Sequence, residues 1–117
     1  MPRARWTVRL TAAAEADMRD IFAWTAENFG IEQARRYRST ILAALRDISD
    51  GPGALGARER PDIRPNLRSL HIARRGRRGR HVILFTANED SPQIRIIRIL
   101  HDSMDLERHL PAGSDEG

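Results

Sequence analysis

The first half of the chain carries two hydrophobic patterns in succession. Trp6–Leu10 alternates apolar with polar side chains, which is typical of a short β-strand. Thr11 can cap a helix through its hydroxyl, and Gly30 can end one because glycine tolerates a left-handed backbone. The spacing between them predicts a helix over Ala12–Phe29. Its apolar face is formed by Ala14, Met18, Ile21, Phe22, Thr25 and Phe29.

A second helix is predicted directly after Gly30, ending at Gly51-Pro52. Its apolar face is formed by Ala34, Tyr37, Ile41, Ala44, Leu45 and Ile48. Because the link between the two helices is so short, they should fold back as an antiparallel hairpin. Neither face can be buried by the partner helix alone, so both are expected to pack on a sheet.

Strand patterns follow in the second half of the chain. The predicted strands are Leu67–Ala73, His81–Ala87 and Gln93–Leu100, and a short closing helix is predicted over Met104–Leu110. Residues 51–66, rich in Gly, Pro and Arg, are interpreted as an ordered loop. The order β-α-α-β-β-β plus a short C-terminal helix indicates an α+β fold, in which the helical hairpin packs on one face of a mainly antiparallel sheet.

Size and composition narrow the class further. A chain of 117 residues can bury one core without a metal or disulfide, and the absence of cysteine excludes a disulfide framework or a thiolate site. No segment has the apolar length of a signal peptide or a membrane span. We therefore predict a single cytoplasmic domain over residues 1–111, with no cofactor and no metal, and a flexible tail over residues 112–117.

The positive charge is concentrated in one segment. The net charge is +4, and all 20 cations are arginines. Residues 58–80 hold nine arginines against Glu59 and Asp62, a local balance of 9 − 2 = +7. Such a segment attracts an anionic partner, either nucleic acid or acidic protein; the alternative is an ordinary solvated face.

Four pieces of sequence, in consistent order and spacing, resemble a known family. They are Leu10–Ile21, Ile63–Leu70, Gly79–Phe85, and Ile97–His101 together with Met104–Leu110. Together they resemble the plasmid-stabilisation toxins of the RelE/ParE superfamily, on the ParE side, over roughly Val8 to Leu110. That superfamily has the same element order. The hairpin at Arg74–Arg80 departs from it by carrying four extra arginines.

This resemblance implies the toxin component of a type II toxin–antitoxin system, with two possible mechanisms. ParE-like members inhibit DNA gyrase and have no known hydrolytic site, whereas RelE-like members cut messenger RNA in the ribosome, using lysines, arginines and a C-terminal tyrosine or histidine. RNA cleavage needs a base, an acid and cations for the charged phosphorane. Because the chain has no lysine and its only tyrosine, Tyr37, belongs to a helix stripe, we favour a ParE-like, non-enzymatic function.

Histidines keep the nuclease alternative open. His81 begins one predicted strand beside Arg80 and His101 ends another, so an acid–base pair flanked by Arg98 is conceivable. The other interpretation, which we favour, is that both histidines form hydrogen bonds at strand ends. A third function, a non-toxic basic nucleic-acid-binding module, is disfavoured because no strand carries the aromatic pattern of RNA-binding sheets.

The resemblance also implies a partner, a small ParD-like antitoxin with an acidic C-terminal segment, in a hetero-oligomeric complex. We expect its acidic side chains to meet the arginine-rich hairpin, which should be mobile and project its charge into solvent. Trp24 and Met104 are candidate apolar contacts, although Trp24 is expected to flank the core and Met104 to pack the closing helix on the sheet. The candidate partner-binding residues are thus Trp24, Arg74, Arg75, Arg77, Arg78, Arg80 and Met104.

Overall fold

The computed structural model describes residues 6–54, 56–74 and 76–110. Its elements are strand β1 (Thr7–Leu10), helix α1 (Ala12–Phe29), helix α2 (Ile31–Ile48), strands β2 (Arg58–Glu59), β3 (Arg68–His71), β4 (His81–Asn88) and β5 (Gln93–His101), and a 3₁₀ turn (Leu106–His109). The predicted order is confirmed with two changes. The loop predicted at 51–66 contains the two-residue strand β2, and the closing helix is a single 3₁₀ turn. The predicted tail at 112–117 lies outside the described residues.

The five strands form one sheet in the order β1-β5-β4-β3-β2. Strand β1 runs parallel to β5, and the other three pairs are antiparallel. This arrangement confirms the mainly antiparallel sheet. The chain leaves β1 at one edge, forms both helices, and returns as β2 at the opposite edge, so the helical hairpin covers one face of the sheet.

The helices begin and end at residues suited to capping. The Thr11 hydroxyl accepts the Ala14 N–H at 3.1 Å and donates to the Ile96 carbonyl at 3.0 Å, which ties the start of α1 to β5. Gly30, with a φ of +94°, is both the last cap of α1 and the first cap of α2. A one-residue link in this conformation needs glycine and forces the hairpin to be tight. Neither described helix has the length and apolar character needed to cross a membrane.

The core lies on both faces of the sheet. Between the helices and the sheet are Ala14, Ile41, Ala44, Leu45, Ile48, Leu70, Ile72, Ile83, Phe85, Ile94, Ile96 and Ile99. On the opposite face, here called the far face, are Leu67, Leu84, Ile97 and Leu100, covered by Ile63, Leu106 and Leu110. Strand β5 contributes side chains to both parts of the core. It contains a β-bulge: Phe85 pairs with Ile96 and Leu84 with Arg98, so Ile97 is the extra residue.

The helical hairpin ends in an exposed aromatic pair. Trp24 is 58% and Phe29 66% exposed, and their rings meet edge to face with centroids 5.8 Å apart. The predictions that Phe29 lies on the buried stripe and that Trp24 flanks the core are therefore wrong. The reason is geometric: Asp17 already contacts Ile99, two residues before the end of β5, so the last turns of α1 extend past the sheet.

Candidate functional site

Arg98, a candidate phosphate-binding cation, is held by Asp17 in a two-pronged ion pair. Arg98 Nε and Nη2 each lie 2.8 Å from a carboxylate oxygen of Asp17, and Nη1 donates to the His109 carbonyl at 2.6 Å. Asp17 also accepts the Ile99 N–H at 2.9 Å, and its hydrogen bond raises the pKa of Arg98. The guanidinium thus joins α1, β5 and the 3₁₀ turn, and each of its three nitrogens donates one hydrogen bond within the fold.

His81 lies at the start of β4, beneath α2. Its Nδ1 is 2.6 Å from the Tyr37 hydroxyl, which in turn accepts the backbone N–H of Arg80 at 3.0 Å. Burial, with a smaller effect from the neighbouring His101, lowers the pKa of His81 to about 4, so the ring is neutral at pH 7. Burial also raises the pKa of Tyr37. The hydroxyl is therefore protonated at pH 7. It accepts the Arg80 N–H and donates its own hydrogen bond to Nδ1 of His81, in the tautomer that carries the ring proton on Nε2.

His101 faces His81 across the strand pair, with ring centroids 5.4 Å apart. Its Nδ1 accepts the Ser103 N–H at 3.2 Å and lies 2.7 Å from the Ser103 hydroxyl. The fold therefore brings the predicted histidine pair together. Arg80 lies near the pair as well, because it contacts Asp102, the residue that follows His101. Both histidines form the strand-end hydrogen bonds that the alternative interpretation proposed.

His71, from β3, completes this group through Asp102. Its Nδ1 accepts the Ala73 N–H at 3.0 Å, and its Nε2 lies 2.8 Å from Asp102 Oδ2. Arg80 reaches Asp102 Oδ1 more loosely, at 3.3 and 3.4 Å. The hydrogen bond from His71, followed by that from Arg80, lowers the pKa of Asp102. In all three histidines the Nδ1 lone pair is engaged, so a neutral ring carries its proton on Nε2.

The groove on the far face does not contain the histidine pair. It has a volume of about 530 Å³ and includes Arg58, Arg60, His71 and Met104 in its lining. Two arginines meet four acidic residues there: Asp62, Asp102, Asp105 and Glu107. Arg60 is already paired with Asp62 at 3.4 Å, which lowers the pKa of that carboxyl. The groove therefore lacks the excess positive charge that a phosphorane transition state requires.

The arginine-rich hairpin is anchored at two points, which corrects the prediction that it projects freely into solvent. Arg77 Nη2 lies 2.6 Å from Asp47 Oδ2 of α2, with the two side chains 21% and 18% exposed. The Arg74 guanidinium packs on Gly56 and leaves no room there for a side chain. Arg78 and Arg80 are exposed. Arg75 lies outside the described residues.

Two apolar candidates are exposed. Trp24 is solvent-accessible at the end of the hairpin, and Met104 is 44% exposed at the groove. Leu106 and Leu110, rather than Met104, pack the closing segment on the sheet. The prediction for the packing of Met104 is therefore wrong, and both residues are accessible to a partner.

Asp17, Asp102 and the Tyr37 hydroxyl hold the site together, although none of them was predicted to do so from the sequence. Asp17 carried a signal, because an acidic residue three positions after Ala14 lies on the buried side of α1 and needs a cation there. Asp102 and Tyr37 carried none, since their contacts depend on how α2 and β3 are placed against β4 and β5. Among residues 6–54, 56–74 and 76–110, no group of three or more His, Cys, Asp or Glu side chains could hold a metal ion.

Known structures share this architecture. A chain from the chromosomal ParDE toxin–antitoxin system of P. aeruginosa superposes with a TM-score of 0.68 at 21% identity, covering 82% of this chain and 95% of that one. A chain of the RelBE2 toxin–antitoxin complex of Mycobacterium tuberculosis gives a TM-score of 0.57 at 21% identity, covering 84% and 99%. The fold is thus that of the ParE/RelE toxins.

Sequence comparison identifies the family. The family described as "ParE toxin of type II toxin-antitoxin system, parDE" matches residues 8–106. Toxin ParE1 of Caulobacter vibrioides is 35% identical over 87% of this chain and 95% of its own length, and Toxin ParE of Escherichia coli is 33% identical over 86% and 89%. The chain belongs to the ParE toxin family of type II toxin–antitoxin systems.

Proposed function

We propose that this toxin inhibits DNA gyrase by binding it, cleaves no RNA, and is neutralised in the cytoplasm by a ParD-like antitoxin. The observation that carries the proposal is the hydrogen bonding of its histidines. His81 and His101 both use the Nδ1 lone pair within the fold, and the Arg98 guanidinium is paired with the Asp17 carboxylate. Neither histidine therefore offers a free lone pair that could act as the general base for RNA cleavage.

A general base must offer a free lone pair to the 2′-hydroxyl at hydrogen-bond distance. A neutral histidine with Nδ1 engaged offers only an N–H at Nε2, which is a donor. His81 is in addition a weak base, since its pKa is about 4. A ring flip that freed a lone pair would break the bond to Tyr37 or to Ser103. The pair is therefore suited to binding rather than proton abstraction.

An antitoxin is supported by the ParE family and by the two similar structures, which come from toxin–antitoxin systems. We propose that its apolar side chains cover Trp24 and Phe29, because two adjacent exposed aromatic rings are unusual unless a partner buries them. Its acidic side chains would meet Arg78 and Arg80, which are exposed beside α2. Met104 is a further proposed contact, at the groove. The two gene products should co-purify as a hetero-oligomer.

The RelE-like alternative is favoured by one observation, the contact of the His81 and His101 rings at 5.4 Å. Inducible expression separates the two functions. We expect DNA-damage signalling and filamentation to precede any fall in translation, and primer extension on cellular messages to reveal no codon-phased cuts. Cuts that disappear in His81→Ala or His101→Ala would instead establish the nuclease.

A further inference from the structure

Where β4 begins and β5 ends, two histidines carry hydrogen-bond donors that have no partner among the described residues. His81 and His101 are cross-strand neighbours, and each has a partner at Nδ1 only. Within the described part of the chain, the sealed side-chain nitrogens without a partner are Nε of Arg74 and Nε of Arg77. Nε2 of both histidines is therefore open to solvent, and each carries a proton that can be donated.

Arg80, directly before His81, adds a cation that is only loosely held. Its side chain is 71% exposed, and its Nη2 is 3.3 Å from Asp102 Oδ1. Asp102 has a shorter bond, 2.8 Å, to His71 through its other oxygen. If Arg80 turned towards another anion, Asp102 would keep its partner. An exposed ion pair of this length contributes little, so an exchange of partners costs little.

We infer that Arg80, His81 and His101 form a receptor for a single carboxylate of an acidic protein segment. The guanidinium supplies one charge and two parallel donors, which match a carboxylate, and each imidazole supplies an N–H donor. The rings are held by Tyr37 and Ser103, so the donors are in place before the anion arrives. Together with the proposed function, this identifies how the acidic part of the antitoxin is recognised.

The charges near this end of the sheet favour a carboxylate over a nucleic-acid backbone. The charge of Arg80 is offset by that of Asp102, so Arg80 adds no surplus of cations at this site. Affinity for nucleic acid comes from neutralising several phosphates in a row, which needs several cations. One carboxylate needs only the three donors.

The test uses the full chain labelled with 15N and two probes, an acetylated hexaglutamate peptide and a six-residue oligothymidylate, at 150 mM salt. We expect the peptide to shift the Nε2 resonances of His81 and His101. Arg80→Ala should weaken peptide binding about tenfold or more, because it removes a charged donor, and His101→Phe about threefold or more, because it removes one N–H donor. Arg19→Ala, which removes an exposed arginine of α1, is the matched control and should change binding less than about twofold.

The inference is overturned if the peptide leaves both histidines unshifted, if Arg19→Ala and Arg80→Ala weaken binding equally, or if the oligothymidylate binds more tightly than the peptide. The last outcome would assign the site to phosphates. Melting curves establish whether each variant is folded. If His101→Phe does not fold, the histidine shifts in the unmutated chain alone decide whether the peptide binds at this site. Gyrase inhibition is measured separately, so failure of the peptide to bind leaves the proposed function standing.

Discussion

Removing one partner of the ion pair between Asp17 and Arg98 should destabilise the fold strongly, whereas replacing both partners should cost little and leave toxicity intact. The perturbation is a set of three variants: Arg98→Met, Asp17→Asn, and both together. Arg98→Met leaves the Asp17 carboxylate, 11% exposed, with only the Ile99 N–H as a partner. Asp17→Asn keeps an acceptor for that N–H and leaves the Arg98 guanidinium, 23% exposed, without its counter-ion.

The expected magnitudes follow from burial. Removing one partner of a buried pair costs about 3–5 kcal/mol, and Arg98→Met should lie in this range because Asp17 is the more buried partner. Asp17→Asn should cost about 2–3 kcal/mol, since part of the guanidinium reaches water. The double variant should lose only about 1 kcal/mol, because neither charge remains to be left unpaired. For a chain of this length 1 kcal/mol corresponds to about 4 °C in Tm, so Arg98→Met should melt about 12–20 °C lower.

Urea denaturation of the four proteins measures these differences, with Arg95→Met as the control. Arg95 lies on the same strand and is partly buried, and it has no ion pair among the described residues. A loss below about 1 kcal/mol for Arg98→Met, or equal losses for Arg98→Met and Arg95→Met, would refute the reasoning. A double variant that is folded yet no longer inhibits gyrase would show that Arg98 acts directly in function.

Two further predictions concern the histidine pair and the hairpin. His81 has a folded pKa of about 4, below the ordinary 6.5, so the unfolded chain binds the proton first and stability falls as pH drops from 6.5 to 4. The stability advantage of the native chain over His81→Gln should shrink by about 1–2 kcal/mol over that window, after allowing for partial exposure of the ring; an unchanged difference in urea midpoints would contradict this. Arg77→Ser should cost about 1–2 kcal/mol because it breaks the pair with Asp47, whereas Arg78→Ser should stay within about 0.5 kcal/mol. Equal melting temperatures for the two serine variants would mean that the hairpin is not anchored.

Periodicity predicted the helices well and their surroundings less well. The bounds of α1 were predicted residue by residue, because Thr11 and Gly30 mark its ends chemically. The exposure of Phe29 was not predictable, since a repeating apolar face does not reveal where the sheet beneath it stops. Strand β2 was missed because two residues cannot display an alternating pattern.

The candidate site was predicted in part, for a physical reason. His81 and His101 stood at the ends of predicted neighbouring strands, so their pairing could be expected from antiparallel register. The hydrogen bonding of the two rings could not be predicted from the sequence, because it depends on which atom contacts each Nδ1. The bond from Tyr37 arises only when α2 lies over β4, and it fixes the orientation of the His81 ring.

The most direct test of the central claim is a supercoiling assay with purified gyrase, relaxed plasmid and ATP, run beside a ribosome-bound messenger RNA with the same toxin preparation. We predict that the toxin abolishes supercoiling at near-stoichiometric amounts, that His101→Phe inhibits as the native chain does, and that the RNA stays intact. Unimpaired supercoiling together with messenger cleavage that His101→Phe abolishes would contradict the account and assign the chain a RelE-like activity.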